Sequence, residues 1–232
     1  MPPTVRHVPI DGVVLTDAEL DHSLGIVLLR EAKYLPLYAT SAVQSVLDRD
    51  SRILPVARAF ADMPVTELPL DSPVPLLCGD GTASGLIVEA FPVPADPPRF
   101  ATACGDGHTV GLLVTEQDGG RVCAFVPGCG GLSASLVNRL ARADLLLFDG
   151  TFWSDEEPRE FGISTRTARE MDHLPISGPG GSLERLAELP CRQRVYTHIN
   201  NTNPILLEDS PERAAVVRAG LMVAFDGWQT RL

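Results

Sequence analysis

Apolar positions along the chain fall into short runs, and their spacing alternates between strand-like and helix-like near the start. Gly12-Val13-Val14-Leu15 predicts a short strand, and Leu24-Gly25-Ile26-Val27-Leu28-Leu29-Arg30-Glu31-Ala32 predicts a mostly buried helix. The acidic stretch Thr16-Asp17-Ala18-Glu19-Leu20-Asp21-His22-Ser23 lies between them. Leu35-Pro36-Leu37-Tyr38-Ala39 predicts a second strand, and Thr40 or Ser41 caps a helix running towards Leu47. The order is β-α-β-α.

From about Val65 to Pro127 the pattern changes to short strands broken by Gly, Pro and Asp. Candidates are Gly85 to Phe91, Val110 to Thr115 and Val122 to Val126, with Asp118-Gly119-Gly120 as a hairpin turn. Pro92 to Pro98 reads as a surface loop and not a linker, because strand signals continue on both sides. After Gly131 the α/β rhythm returns. A helix near Leu132 to Arg142 precedes the buried strand Leu145-Leu146-Leu147-Phe148, and a helix from Ser182 to Leu189 feeds the strand Val195-Tyr196-Thr197. Ser210-Pro211-Glu212 is a helix start ended by Gly220, and Leu221 to Phe225 predicts a last strand. At 232 residues and without an internal repeat, the chain 1–232 is expected to form one α/β domain.

Composition sharpens this picture. Aromatics are only 6% of residues against 44% hydrophobic overall, the aliphatic balance of sheets covered by helices. With 19 Lys plus Arg against 30 Asp plus Glu, the net charge of −11 argues against a nucleic-acid partner. No apolar run reaches the roughly 20 residues of a membrane span, and Met1-Pro2-Pro3 does not begin a signal peptide, so a cytoplasmic protein is expected. Cys78, Cys104, Cys123, Cys129 and Cys191 are scattered without a C-x-x-C pair. They read as reduced and mostly buried, and give no cysteine-built zinc site.

Acids and histidines recur just after apolar strands, where α/β proteins place functional loops: Asp17 to His22, Asp149 and His198. Asp21 and His22 offer a hard oxygen and an imidazole nitrogen at a helix start. Asp21 could equally cap the Leu24 helix, and His22 could be a hydrogen-bonded loop residue. Asp17, Glu19 and Asp21 could form a solvated loop, although carboxylates so close repel one another unless a cation is bound. His198 precedes Asn200, Asn201 and Asn203, amides able to orient a ligand or substrate. Asp149 could cap the next turn, ligate a metal or orient a ligand. His173 opens a loop through Ser177 to Gly181 whose backbone N–H groups could hold a carboxylate, but which matches neither phosphate-loop nor dinucleotide fingerprints. His108, between Gly107 and Thr109, reads as a turn residue.

The order of these segments resembles the metallo-β-lactamase superfamily, a sandwich of two mixed sheets flanked by helices with metal ligands on loops at one edge. Its leading motif is H-x-H-x-D-H after a strand. Here Asp17 and Glu19 stand at the first two histidine positions, while Asp21 and His22 keep the last two. That altered motif, with Leu147 to Trp153, His173 to Ser182 and Tyr196 to Leu206, resembles the pyrroloquinoline quinone (PQQ) biosynthesis protein B family. The resemblance runs from about Asp11 to Trp228 and is weakest in the middle. Family members begin with a further segment of several dozen residues holding early strands and a cysteine-rich structural zinc site. The chain starts after that segment, so the expected fold lacks the first strands and the structural zinc, and weak or no activity is expected of it alone.

The resemblance also implies chemistry. Val126-Pro127-Gly128-Cys129 stands where dinuclear hydrolases carry a Gly-Asp pair, which removes a bridging ligand. What remains is Asp21, His22 and His198, the set of a 2-His-1-carboxylate facial triad for non-haem Fe(II), with Zn(II) as the alternative metal. Asp17, Glu19 and Asp149 are expected around it as outer or optional ligands, His173 beside the same cavity as a catalytic group, and Asn200, Asn201, Asn203 and Ser177 towards substrate. The implied activity is iron- and O₂-dependent hydroxylation of the tyrosine ring in a cross-linked Glu–Tyr precursor of PQQ. Other PQQ biosynthesis proteins are the implied partners, and a homodimer is left open. Alternatives are a carrier of PQQ or its precursor towards the periplasm, or a superfamily hydrolase.

Overall fold

The computed structural model describes residues 8–102 and 105–231, and over these the chain divides into two units. The first is built from 8–92, 96–102, 105–110 and 116–118, the second from 93–95, 111–115 and 119–231.

In the first unit, β1 (Val13–Val14), β2 (Leu37–Ala39) and β3 (Val65–Glu67) make a parallel three-stranded sheet in that order. Parallel neighbours need crossovers, which run through the one-turn helix α1 (Leu20–Ser23), then α2 (Ser41–Ser45) and α3 (Ile53–Arg58). Thr40 caps α2, its hydroxyl accepting from Val43 N–H at 3.1 Å. Leu15, Leu35, Leu37, Ala39, Val43, Leu47, Leu54 and Met63 fill the core. A second pair, β4 (Pro73–Leu77) and β5 (Ala83–Pro92), is antiparallel.

The helix expected over Leu24 to Ala32 is different. It is a 3₁₀ turn over Leu24–Leu29 in which Ile26 is buried while Leu24 and Leu28 are 57% and 74% exposed. Three residues per turn places these leucines on different faces, so one helical stripe cannot bury them together.

The second unit is a sheet of β6 (Val110–Glu116), β7 (Val122–Val126), β8 (Leu145–Asp149), β9 (Gln193–Thr197) and β10 (Met222–Val223). β6 and β7 form the expected hairpin, and β7, β8, β9 and β10 run parallel in sequence order. The crossovers carry α4 (Ala134–Leu140), the short α5 (Glu157–Glu160), α6 (Ser182–Ala187) and α7 (Pro211–Arg218). Ser133 and Ser210 cap α4 and α7. The continuous apolar run of β8 follows from a strand covered on both faces, with Leu146 and Phe148 fully buried, and Val195 and Tyr196 of β9 are at most 1% exposed beside it.

Among the described cysteines Cys129 and Cys191 are buried, Cys78 and Cys123 half-buried, and all four are free; Cys104 lies outside the described residues. His108 sits in a turn as expected, yet is buried. Among the described residues no helix is long and apolar enough to cross a membrane.

Candidate metal centre

One cluster, in the first unit, leaves the C-terminal end of β1, where open α/β sheets present their binding loops. Asp17 is buried there and collects donors: the Thr16 hydroxyl at 2.8 Å, Glu19 N–H at 3.0 Å, and His22 Nδ1 at 2.8 Å from both carboxylate oxygens. A carboxylate only accepts, so Nδ1 carries the proton and the Nε2 of the neutral ring keeps its lone pair for a metal. Burial opposes the charge on Asp17, but the His22 hydrogen bond and charge outweigh it and hold the carboxyl below its ordinary range. The same hydrogen bond raises His22.

The turn that brings Asp17 and His22 together is α1. Glu19 C=O accepts from His22 N–H (3.1 Å), Ser23 N–H (2.9 Å) and the Ser23 hydroxyl (2.7 Å). Asp21 caps nothing; its side chain is 75% exposed, with Oδ2 3.7 Å from His22 Nε2. Glu19 is exposed at the start of the turn. Adjacent residues that would diverge in a strand thus meet on one side of a helical turn.

Another cluster, in the second unit, is built on register. Asp149 at the end of β8 pairs with Thr197 at the end of β9, and Gly150 N–H donates to Thr197 C=O at 2.8 Å. Gly150 allows this close approach: an added Cβ would lie 3.0 Å from Tyr196 Cβ and 3.1 Å from Thr197 O, so the neighbouring strand would have to give. His198 follows with φ 53°, a left-handed backbone unusual for a side-chain-bearing residue, and Asp172, just before His173, has φ 64°. These two reversals turn both imidazoles towards Asp149.

Asp149 is fully buried and meets four donors. Oδ2 accepts from Cys129 N–H (3.1 Å) and His173 Nδ1 (2.7 Å), and Oδ1 from the N–H (3.0 Å) and hydroxyl (2.5 Å) of Thr151. Burial resists its ionisation, but the charge and hydrogen bonding of His173 and His198 prevail and the pKa falls to about 2. The Thr151 hydroxyl lies 2.7 Å from His198 Nδ1 and 3.1 Å from His173 Nδ1. The rings of His173 and His198 stack with centroids 5.5 Å apart, and Phe152 meets His173 edge-on at 5.9 Å. Asp149, His173 and His198 have ligand atoms within 4.8 Å of one another. Both facing Nδ1 atoms are already committed to Asp149 or Thr151, which fits imidazoles oriented for work at Nε2 better than a metal among the three.

The substrate-side candidates separate. Asn203 is 2% exposed, its amide donating to Gly150 C=O (2.8 Å) and Thr151 C=O (3.3 Å) while its Oδ1 accepts from Ile205 N–H (3.1 Å). It holds the turn below Asp149 and offers a substrate little. Asn200 is half-buried and donates to Thr202 Oγ1 (2.6 Å), which donates to Glu157 (2.7 Å); Asn201 is exposed. Ser177 donates to Trp153 C=O (2.8 Å) and opens a loop with left-handed Gly178 and Gly180, in which a Cβ on Gly181 would lie 2.7 Å from two carbonyl oxygens. It borders a cavity of about 480 Å³ with Asp155, Glu160 and Arg169. The Cys129 thiol, pushed up to about 12 by burial, donates to Gly131 C=O at 3.0 Å.

Sequence reading missed Thr16 and Thr151. A hydroxyl residue next to a strand-end carboxylate was the available signal, at one position's separation for Thr16 and two for Thr151.

Residues 1–199 match the model of the β-lactamase superfamily domain. A diphosphatase of the PhnP family, 17% identical, superposes with a TM-score of 0.64 over 96% of this chain and 72% of its own, a likeness of fold alone. The fold is the metallo-β-lactamase fold. Coenzyme PQQ synthesis protein B of Gluconacetobacter diazotrophicus is 40% identical over 230 residues, 96% of this chain and 74% of the relative. The structure of Zn²⁺-bound PqqB from Methylobacterium extorquens is 36% identical, with a TM-score of 0.81 over 99% of this chain and 74% of that one. The chain belongs to the coenzyme PQQ synthesis protein B family.

Proposed function

We propose that the protein acts in PQQ synthesis as a metal-dependent hydroxylase of the tyrosine ring in a cross-linked Glu–Tyr precursor. Asp21, His22 and His198 hold the metal in this reading, as a 2-His-1-carboxylate set. The observation that carries it is the His22–Asp17 pair: a buried carboxylate fixes Nδ1 at 2.8 Å and leaves Nε2 to ligate, the outer partner that metal-binding histidines require. The donor set of one carboxylate and two imidazoles suits Fe(II) and Zn(II) alike, and the relative from Methylobacterium extorquens binds Zn²⁺. Cys129, standing where dinuclear hydrolases carry a bridging aspartate and donating to Gly131 C=O, weighs against a second metal of the hydrolase kind.

Fe(II), when bound, supplies the redox chemistry that activates O₂. The protein's own residues bind and orient. Asp17 and Asp149 fix the two sets of imidazoles, Glu19 adds negative charge beside the cation, and His173 faces substrate with Asp149 to balance a proton held at its Nε2. Asn200, Asn201 and Ser177 provide polar groups for an amino-acid-derived ligand. In the net reaction one oxygen atom enters a ring C–H bond and the other leaves as water, with two electrons and two protons from a two-electron reductant. Other PQQ synthesis proteins would supply the precursor and take up the product.

The test is reconstitution of the metal-free chain with Fe(II) or Zn(II), followed by mass analysis of the Glu–Tyr precursor under ¹⁸O₂ in the presence of a two-electron reductant. Mass gain from ¹⁸O₂ with Fe(II) alone is expected; no gain with stoichiometric Fe(II) bound would overturn the hydroxylase reading.

A further inference from the structure

Thr151 is buried where Asp149, His173 and His198 all come within reach of its hydroxyl. A hydroxyl has one proton to donate and two lone pairs. Its shortest contact is Asp149 Oδ1 at 2.5 Å, and Asp149 already receives backbone N–H groups from Cys129 and Thr151, so that carboxylate is an acceptor. The Thr151 proton therefore points to Asp149. What remains on Oγ1 towards His198 is a lone pair, and at 2.7 Å it accepts only if Nδ1 bears the hydrogen. His198 Nδ1 is 3.6 Å from Asp149 Oδ1, a longer and weaker approach than the 2.7 Å at which His173 Nδ1 reaches Oδ2.

We infer that Thr151 is a positioning residue that sets the tautomer of His198, passing the polarity of the Asp149 carboxylate through its hydroxyl so that the proton sits on Nδ1 and the ring lone pair on Nε2. His22 gets the same instruction directly from Asp17. The Thr151 hydroxyl also lies 3.0 Å from His198 C=O, a second acceptor that competes for its one proton with the much shorter Asp149 Oδ1 contact.

The assignment of a metal to His198 rests on the function proposed above; the tautomer does not. Both are tested on the full chain with the same variants. In the metal-free protein, long-range proton–nitrogen correlation spectra should show both His173 and His198 protonated at Nδ1. In Thr151→Val, which keeps the shape and removes the hydroxyl, His198 should shift towards the Nε2–H form while His173 is unmoved, and Thr151→Ser should restore the wild-type pattern. A residue serving only to fill space would leave the spectrum of Thr151→Val unchanged. Zinc titration should show affinity about 10–100-fold weaker in Thr151→Val and close to wild type in Thr151→Ser. Wild-type His198 protonated at Nε2, or an unchanged tautomer in Thr151→Val, overturns the inference, and the first outcome does so even if Thr151→Val fails to fold. If His198→Ala binds zinc as tightly as wild type while the tautomer moves as expected, the triad fails and the role of Thr151 stands.

Discussion

The two arms of the proposed centre solve one problem in different ways. In the first, Asp17 and His22 are five residues apart, and one helical turn brings carboxylate to imidazole directly. In the second, Asp149, His173 and His198 are spread over fifty residues, and strand register, two left-handed residues and a hydroxyl bring them together. The first arm is a local motif that needs little of the fold around it. The second is a product of the sheet, fully buried at its carboxylate, so disturbing it must disturb the unit that carries it.

That contrast can be broken experimentally, most forcefully at the two carboxylates. Asp149→Ala leaves two backbone N–H groups and two imidazoles facing a void and should cost about 3–5 kcal/mol. Asp17→Ala, whose His22 partner is 23% exposed and can turn to water, should cost about 1–3 kcal/mol. Chemical denaturation measures both, and equal losses would end the distinction. Asp17→Asn should keep the fold but weaken zinc affinity about 10–100-fold by titration, since an amide does not dictate which ring nitrogen is protonated. A fold that melts with this change would make Asp17 structural. Gly150→Ala and Asn203→Ala should each cost about 1–3 kcal/mol in urea, the one through crowding against β9, the other through orphaned carbonyls. The smallest effect is expected at exposed Asn201: Asn201→Ala should change stability by no more than about 0.5 kcal/mol, and a rise in KM with unchanged kcat would place it against substrate.

The contrast also explains what could be read in the chain before its structure. β7 agrees with its expected bounds, and Ser133 and Ser210 cap helices, because apolar runs and caps are written locally. Asp21 and His22 stood out as neighbours with complementary chemistry. Only its place two positions after Asp149 marks Thr151 locally, and its contacts with the imidazoles come from residues 22 and 47 positions away. Asn203 was legible as a polar loop residue but not as one turned inward, since burial of its amide depends on where the Gly150 and Thr151 carbonyls point. The helix expected after Ser23 failed for another reason: periodicity cannot tell a 3₁₀ turn from an α-helix when the apolar residues are nearly continuous.

The left-handed backbone at His198 reaches beyond this chain. Torsion angles survive when side chains are exchanged, so a parallel strand whose next residue has φ near 53°, beside a neighbouring strand ending in an acid and glycine, forms a search template that needs no sequence similarity. Asn, which tolerates that conformation, becomes the replacement of choice where the imidazole must be removed without rebuilding the loop. A chain carrying the same torsions with Asn, Gly or Asp at that position would mark a relative that kept the scaffold after giving up the ligand.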